Sequence, residues 1–366
     1  MTLKKEYDKK YHTLSAQAIR ITLFVFVYVR LLSAETCVLD IFLNPLFFFL
    51  DGMGMTIEKD EKFLHFIYRK FRQFIVPYFF LAIILACLDT ALYPLEGGTP
   101  SIDYLIDCFT GIFTESRVYS LWYLPSLFFA ETFVYLMMKF SKDNLILSTF
   151  YNFVMLAIAL LYNTFLHYYL PLAIDTSFIG AFYLYFGYIL MLDKCDKLRN
   201  FMFVNRTISI LTGIVLLAIS TILALVIYSN YQSCFSGSKA IYSPYYLVIP
   251  TSFLGLFGIV YIAYGIRNPF FNRIGGMTMI ILAFEEEVWI KLYRNLIAKN
   301  WFATFSGNVW DPEEIFCCFL GALFAVFMSV PLFYLFMNTP LRVIFGKKKE
   351  VKTNLVKEEA IEVSND

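Results

Sequence analysis

The chain has 366 residues, of which 59% are hydrophobic, 19% aromatic and only 16% charged, with a formal net charge of +1. Soluble domains carry about 25% charged residues, so this composition predicts a polytopic integral membrane protein. The seven Cys form no C-x-x-C pair and the three His stand far apart, which predicts no metal site. The lipid bilayer is one expected partner, and nucleic acid is not expected as another.

The chain starts with a lysine-rich segment, 1–17, which precedes the first apolar stretch, 18–39. No small-residue cleavage pattern follows that stretch, so we expect a retained span rather than a removed signal peptide. Arg30 lies roughly 18 Å along the span from its inner end. An ionisable side chain at such depth usually faces a wet or protein-lined cavity and has a partner.

The apolar pattern predicts an all-α protein with about ten membrane-spanning helices. The second window is interrupted by Asn44, Pro45, Asp51, Gly52 and Gly54, so a broken or re-entrant helix fits it as well as a straight one. The ten windows are 18–39, 41–57, 74–93, 120–138, 145–166, 172–192, 207–228, 245–264, 274–293 and 313–337.

The basic residues orient these spans. With the amino terminus inside, 24 of the 30 Lys and Arg fall on the cytoplasmic side, which predicts that both termini are cytoplasmic. We expect one transmembrane domain over 18–340 and a charged, disordered cytoplasmic tail over 341–366. The longest outer loops are then 94–118 and 294–312, which can cover a substrate.

Three acidic or basic positions are predicted to share the middle of the bilayer. Glu131 lies roughly 16 Å from the outer end of the fourth window, and Glu285 roughly 16 Å into the ninth. Both therefore fall at the depth of Arg30. Trp122 and Tyr123 start the fourth window at the outer interface, where aromatic belts are common.

The run of three glutamates in the ninth window separates by helix geometry. Neighbours on an α-helix are 100° apart, so Glu285, Glu286 and Glu287 cannot all face one cavity. Glu287 has Lys291 four residues on, the favourable order for an intrahelical pair. Glu285 needs a partner on another helix, and Arg30 is the candidate. Whether that pair is catalytic or purely structural stays open at this point.

Three stretches together resemble the acyltransferase family 3 of bacterial integral-membrane O-acyltransferases. PLFFFLDG at 45–52 is similar to the family's PLFFFxSG, with Asp51 where Ser is usual. FIYRKFRQFIVPY at 66–78 is similar to its R-x-x-R followed by Pro-Tyr, and LWYLPSLF at 121–128 to its LWFLxxLF. A weaker fourth stretch, RIGGMTMIILAFE at 273–285, resembles IGxxTxxILAFH.

Two departures from that pattern concern histidine. The family places a His late in the first span, about ten residues after a basic residue, and takes it as the general base. Here Arg20 is followed by Arg30 and Leu31, and Glu285 occupies the other position where His is common. A histidine-based mechanism is therefore unsupported in this chain.

The resemblance implies acyl transfer from acyl-CoA, with acetyl-CoA as the first choice of donor and no metal. Arg69 and Arg72, three residues apart, suit its phosphates, although they also fit ordinary positive-inside residues. Asp51 is expected to line the donor channel or to be a solvated interfacial carboxylate. Glu285 or Glu131 is the expected proton acceptor, with Arg30 polarising the acyl carbonyl.

The predicted acceptor is a hydroxyl of a surface or exported carbohydrate or glycolipid, with Trp122 and Tyr123 lining its pocket or serving only as anchors. The predicted location is the bacterial cytoplasmic membrane, and the sequence leaves the oligomeric state open. The alternative is a catalytically inactive relative that acts as an export or partner protein in polysaccharide assembly, which the missing histidines favour.

Overall fold

A computed structural model describes residues 37–57, 61–114, 120–166, 168–203, 205–231, 244–265, 278–299, 312–339 and 341. Within those ranges all regular elements are helical. The α-helices are α1 Cys37–Gly54, α2 Phe63–Lys70, α3 Val76–Leu92, α4 Ile102–Thr114, α5 Tyr123–Phe140, α6 Leu145–Phe165, α7 Ile174–Leu190, α8 Asp196–Met202, α9 Arg206–Tyr231, α10 Tyr245–Gly265, α11 Thr278–Phe284 and α12 Pro312–Asn338.

The predicted all-α membrane architecture is confirmed. Six helices in the described ranges are long and apolar enough to cross a bilayer. Each of the nine apolar windows after the first coincides with a helix. The segment 1–17, the first window up to residue 36, which includes Arg30, and the tail from 342 onward lie outside the described residues.

Helix α1 is continuous, which decides between the two forms predicted for the second window. Pro45 lies inside the helix, and the two glycines near its end do not interrupt it. A side chain at Gly52 would meet the backbone oxygen of Leu184, and one at Gly187 would meet that of Phe49. These glycines therefore allow α1 and α7 to cross with their backbones in contact.

Helix α7 forms the centre of one half of the bundle. It packs against α1, α5 and α6, and α1 in turn packs against α10, which pairs with α9. The apolar window of α7 is 72% buried, whereas those of α6 and α9 are only 17% and 22% buried. The exposed apolar faces of α6 and α9 are therefore the lipid-facing surfaces of this half.

The other half is built around one long helical rod. The rod runs from Phe63 to Glu96 without a break, through α2, a π-helical turn at Phe71–Ile75, α3 and a 3₁₀ turn at Tyr93–Glu96. Helix α4, which falls in the predicted outer loop 94–118, packs along α3. The Tyr78 hydroxyl, in the first turn of α3, donates a hydrogen bond to the Ile112 carbonyl oxygen near the end of α4.

The prediction of a plain outer loop at 94–118 is therefore wrong. The chain turns back along α3 for most of its length before α5 begins, so α4 is a re-entrant helix against the bundle. Hydropathy windows missed it because thirteen residues are too few to cross a bilayer.

The ninth window is not a regular α-helix. After α11 the chain forms π-helical turns at Glu285–Ile290 and Tyr293–Ala298. The different directions predicted for the three glutamate side chains depended on α-helical spacing, which Glu285–Ile290 does not have. Glu285 is fully buried, and Glu286 and Glu287 are each half-buried.

Candidate active site

Asp51 and Tyr123 form a hydrogen-bonded pair between α1 and α5. The Tyr123 hydroxyl donates to Asp51 Oδ2, and among the described residues it is the donor to this carboxylate. The Tyr123 ring packs edge-on against Phe48 with centroids 5.0 Å apart and lies 5.7 Å from Phe47. The aromatic run of α1 thus holds the tyrosine against the carboxylate one turn further along the same helix.

Lys70, at the end of α2, and Glu131, in α5, form a buried ion pair. Each residue is only 3% exposed, and the ammonium contacts Glu131 Oε2. The Lys70 ammonium also lies 5.8 Å from the Phe66 ring centroid and 5.5 Å from that of Phe74. Two aromatic faces and one carboxylate therefore replace the water that this cation gives up on burial.

The two pairs belong to one group of side chains, which we call the inner cluster: Asp51, Lys70, Tyr123 and Glu131. Both Lys70 and Glu131 interact electrostatically with Asp51. Two carboxylates and one ammonium of the described residues thus lie near one another where α5 packs on the π-helical turn of the rod and, through Tyr123, contacts α1. Such a concentration of ionisable groups in a lipid-embedded protein indicates function.

Arg69 supports the loop that leads into the rod. Its Nε and Nη2 bind the two carboxylate oxygens of Glu61 at 3.0 and 2.9 Å, and Nη2 also donates to the Thr56 carbonyl oxygen at 3.3 Å. The Glu61 carbonyl oxygen accepts a 2.6 Å hydrogen bond from the Tyr135 hydroxyl. A guanidinium has five N–H donors, so the two on Nη1 remain for a further ligand.

Arg72 has different surroundings from Arg69. It lies in the π-helical turn Phe71–Ile75, its side chain is exposed, and no described residue forms an ion pair with it. The structure therefore places both predicted donor-binding arginines on one rod, but only Arg72 presents its whole guanidinium to solvent.

A second set of charges lies further along the rod, and we call it the outer cluster: Asp89, Glu96, Tyr104, Glu287 and Lys291. The predicted pair of Glu287 and Lys291 is confirmed, with a separation of 3.1 Å. The same ammonium also contacts Asp89, and it lies 3.6 Å from Glu96. Tyr104 donates a 3.0 Å hydrogen bond to Asp89, which ties α4 to this point.

Glu285 is fully buried, at 0% exposure. Helix α11, which ends just before it, packs against the turn Ser120–Trp122. Its predicted partner Arg30 lies outside the described residues, so the predicted pair stays a prediction.

Among the described residues no group of three His, Cys, Asp or Glu has the arrangement of a metal site. The one histidine described, His65, is exposed on α2. Acid–base chemistry in the described part of the chain therefore falls to carboxyl, tyrosine and lysine groups.

Comparison with known protein families shows which family contains this chain. The acyltransferase 3 model, described as an acyltransferase domain, matches residues 11–310. The chain belongs to the acyltransferase 3 family. No curated protein and no solved structure matches it.

The acyltransferase 3 match covers all four motif stretches, and the structure joins two of them directly. Asp51 comes from the first stretch and Tyr123 from the third, and they are hydrogen bonded. Lys70 lies inside the R-x-x-R stretch, and Glu131 follows the third stretch by one turn. The first three motif stretches of this acyltransferase 3 chain therefore converge on the inner cluster.

The structure gives the surroundings of residues whose depth the sequence predicted. Trp122 and Tyr123 are only 4% and 8% exposed, and Tyr123 contacts Asp51, so both face the protein interior rather than lipid. Glu131 pairs with Lys70, which the sequence places on the cytoplasmic side. The common layer of Arg30, Glu131 and Glu285 stays a prediction, because Arg30 lies outside the described residues.

Lys70 is the residue of this acyltransferase 3 site that the sequence analysis missed, because it was counted among cytoplasmic loop charges. A signal was present in the sequence. Phe66 and Phe74 stand four residues before and after Lys70, so a helix places all three on one face. All three are buried.

Proposed function

We propose that this membrane acyltransferase moves an acetyl or similar acyl group from cytoplasmic acyl-CoA to a hydroxyl of a surface or exported carbohydrate. The observation that carries the proposal is the adjacency of exposed Arg72 and half-exposed Arg69 to the inner cluster on the same rod. A charged donor can bind at the arginines while its acyl end reaches buried acid–base groups.

The arginine arrangement suits the phosphates of coenzyme A. Arg72 offers its full guanidinium, and Arg69 offers the two Nη1 donors that Glu61 and Thr56 leave available. Phosphate binds arginine through charge-assisted hydrogen bonds that are about twice as strong as neutral ones. Glu61 holds Arg69 in place, which lowers the entropy lost when the donor binds.

The inner cluster lies next to these arginines, where the acyl end of a bound donor can reach it. Lys70 is the direct neighbour of Arg69, and its partner Glu131 lies about 12 Å along α5 from Tyr123. A donor that enters beside the arginines therefore has its pantetheine arm directed along α5 toward Asp51 and Tyr123. Trp122, enclosed beside them, is in position to line the pocket where donor and acceptor meet.

The test is acylation of envelope glycans in cells with the gene intact and deleted, measured as base-labile acetate in the isolated glycan. We expect the acetate to disappear on deletion and to return on complementation. Equal acetate in both strains, with reduced surface glycan on deletion, would contradict acyl transfer and would instead support the export or partner role.

Donor identity is tested separately with inside-out membrane vesicles. Vesicles from the complemented strain should incorporate label from acetyl-labelled coenzyme A into glycan, and vesicles from the deletion strain should not. Incorporation that is equal in both vesicle types would contradict acyl-CoA as the donor.

A further inference from the structure

We infer that Asp51 is the group that takes the proton from the acceptor hydroxyl, with Tyr123 and Lys70 as its positioning residues. This inference rests on the proposed function, because it assigns a role within that acyl transfer. It replaces the earlier expectation that Glu131 or Glu285 accepts the proton.

Accessibility separates Asp51 from the other buried carboxylates. Glu285 is fully enclosed, and Glu131 is 3% exposed with its oxygen against the Lys70 ammonium. Asp89 and Glu287 both contact Lys291. Asp51 is partly exposed and Tyr123 binds its Oδ2, which leaves Oδ1 as the oxygen for an acceptor hydroxyl. A proton acceptor has to come within hydrogen-bond reach of the proton it takes.

The electrostatic surroundings of Asp51 suit proton exchange. Lys70 attracts its negative charge and Glu131 repels it, while the Tyr123 hydroxyl donates to it. Asp51 therefore has one opposite and one like charge in its surroundings, as well as a hydroxyl donor. Carboxylates near both an opposite and a like charge are common at catalytic positions.

The backbone holds Asp51 rigidly. Its neighbour Gly52 packs directly against the Leu184 backbone, and the carbonyl of Phe49 lies against Gly187. The ring of Tyr123 is held by Phe47 and Phe48. A base held this firmly on a packed helix keeps its geometry as the acceptor enters.

Acyl transfer with Asp51 as the base forms the ester bond before the thioester bond breaks. The hydroxyl O–H bond breaks and its proton passes to the Asp51 carboxylate, while the oxygen forms a bond to the acyl carbon of the thioester. The C–S bond of the tetrahedral intermediate then breaks. The proton returns from Asp51 to the leaving thiolate, which gives the acyl ester, free coenzyme A and an ionised Asp51.

The test uses the full-length protein in detergent, acetyl-CoA, and envelope glycan isolated from the deletion strain. Asp51→Asn keeps the size of the side chain and removes its basicity, so we expect kcat to fall about 10²- to 10⁴-fold with KM for acetyl-CoA unchanged. Asp51→Glu, which retains a carboxylate, should keep more activity than Asp51→Asn. Asp103→Asn, at an exposed position on α4, is the matched control and should retain wild-type activity.

Positioning by Tyr123 has its own readout. Tyr123→Phe should lower kcat about tenfold, since it removes a hydrogen bond to a charged group. In the Asp51→Asn background the same change should have little further effect, because the base that it positions is gone. A merely structural tyrosine would instead lower activity equally in both backgrounds.

The outcomes separate this inference from the proposed function. Wild-type transfer together with wild-type rates for Asp51→Asn would overturn the role of Asp51 alone. No transfer by the folded wild-type protein would overturn both. Should Asp51→Asn fail to accumulate in membranes, Asp51→Ser, which carries the residue usual at this position in the family pattern, decides the question by the same criterion.

Discussion

At the scale of single residues, the ion pair of Lys70 and Glu131 buries two charges, which costs free energy, and the side chains around Lys70 offset part of that cost. Removing one partner leaves the other charge buried, which costs about 3–5 kcal/mol in comparable pairs. The aromatic rings on both sides of Lys70 stabilise the cation, but they cannot satisfy a lone Glu131. This asymmetry makes the pair testable by mutation.

We predict that Glu131→Leu or Lys70→Met alone lowers the unfolding free energy by about 3 kcal/mol or more, whereas the double variant recovers much of that loss. The reason is that the double variant buries no unpartnered charge. Thermal unfolding of the purified proteins in detergent measures the effect. Additive losses in the double variant would show that the two residues do not stabilise each other.

A second residue-scale prediction concerns the donor. Arg72→Gln should raise KM for acetyl-CoA about 10- to 100-fold with kcat little changed, because it removes charge-assisted hydrogen bonds to phosphate. Lys62→Gln, which removes an exposed charge from the same segment, is the matched control. Equal KM values for the two variants would argue against phosphate binding by Arg72.

At the scale of helices, the contact of α1 with α7 fixes where Asp51 stands. A Cβ added at Gly52 would lie 2.0 Å from the Leu184 carbonyl oxygen, whereas one added at Gly54 meets nothing within 4 Å. The two glycines are on the same helix, so they allow a matched comparison. Backbone cannot move aside as a flexible side chain can.

We therefore predict that Gly52→Ala destabilises the protein by about 1–3 kcal/mol and also lowers activity, since it separates the helices that hold Asp51. Gly54→Ala should stay within about 0.5 kcal/mol of the wild type. Thermal unfolding and glycan acetylation of both variants check this. Similar melting temperatures for the pair would contradict a close helix crossing at Gly52.

The helices also show what sequence reasoning could and could not reach. From the second window onward the apolar windows located helices, and six described helices are long and apolar enough to cross a bilayer, because crossing requires a long run of apolar residues. The same rule excluded α4, which is short and carries Asp103 and Asp107, although it packs along α3. The π-helical turn at Glu285–Ile290 was likewise beyond a prediction that assumes α-helical periodicity.

Most residues of the site could be predicted from the sequence, but their arrangement in space could not. Asp51, Tyr123 and Glu131 were all identified from motifs and depth, but hydropathy assigns only a depth to each residue and says nothing of which helices are neighbours. Their convergence follows from tertiary contacts, namely the crossing at Gly52 and the re-entry of α4. Lys70 was missed because its position in a basic run outweighed its aromatic neighbours.

At the scale of the whole molecule, orientation follows from the distribution of positive charges and is open to direct test. In a variant without native cysteines, Thr99→Cys should react with a membrane-impermeant maleimide in intact cells. Lys62→Cys should react only after permeabilisation, because the positive-inside rule places it in the cytoplasm. Both positions are exposed. The reverse labelling pattern would invert the topology and place the arginines away from the cytoplasmic donor.

The uninterrupted rod from Phe63 to Glu96 has 34 residues, which makes it about 51 Å long against a hydrocarbon core of about 30 Å. It has to lean strongly or project beyond the lipid. Its first turns bear outward-facing Phe63, Leu64, Tyr68 and Phe71, side chains suited to the headgroup layer. Thicker bilayers reduce the lean and thinner ones increase it. We therefore expect the height of Arg72 above the inner leaflet, and with it the capture of the proposed donor, to depend on lipid chain length.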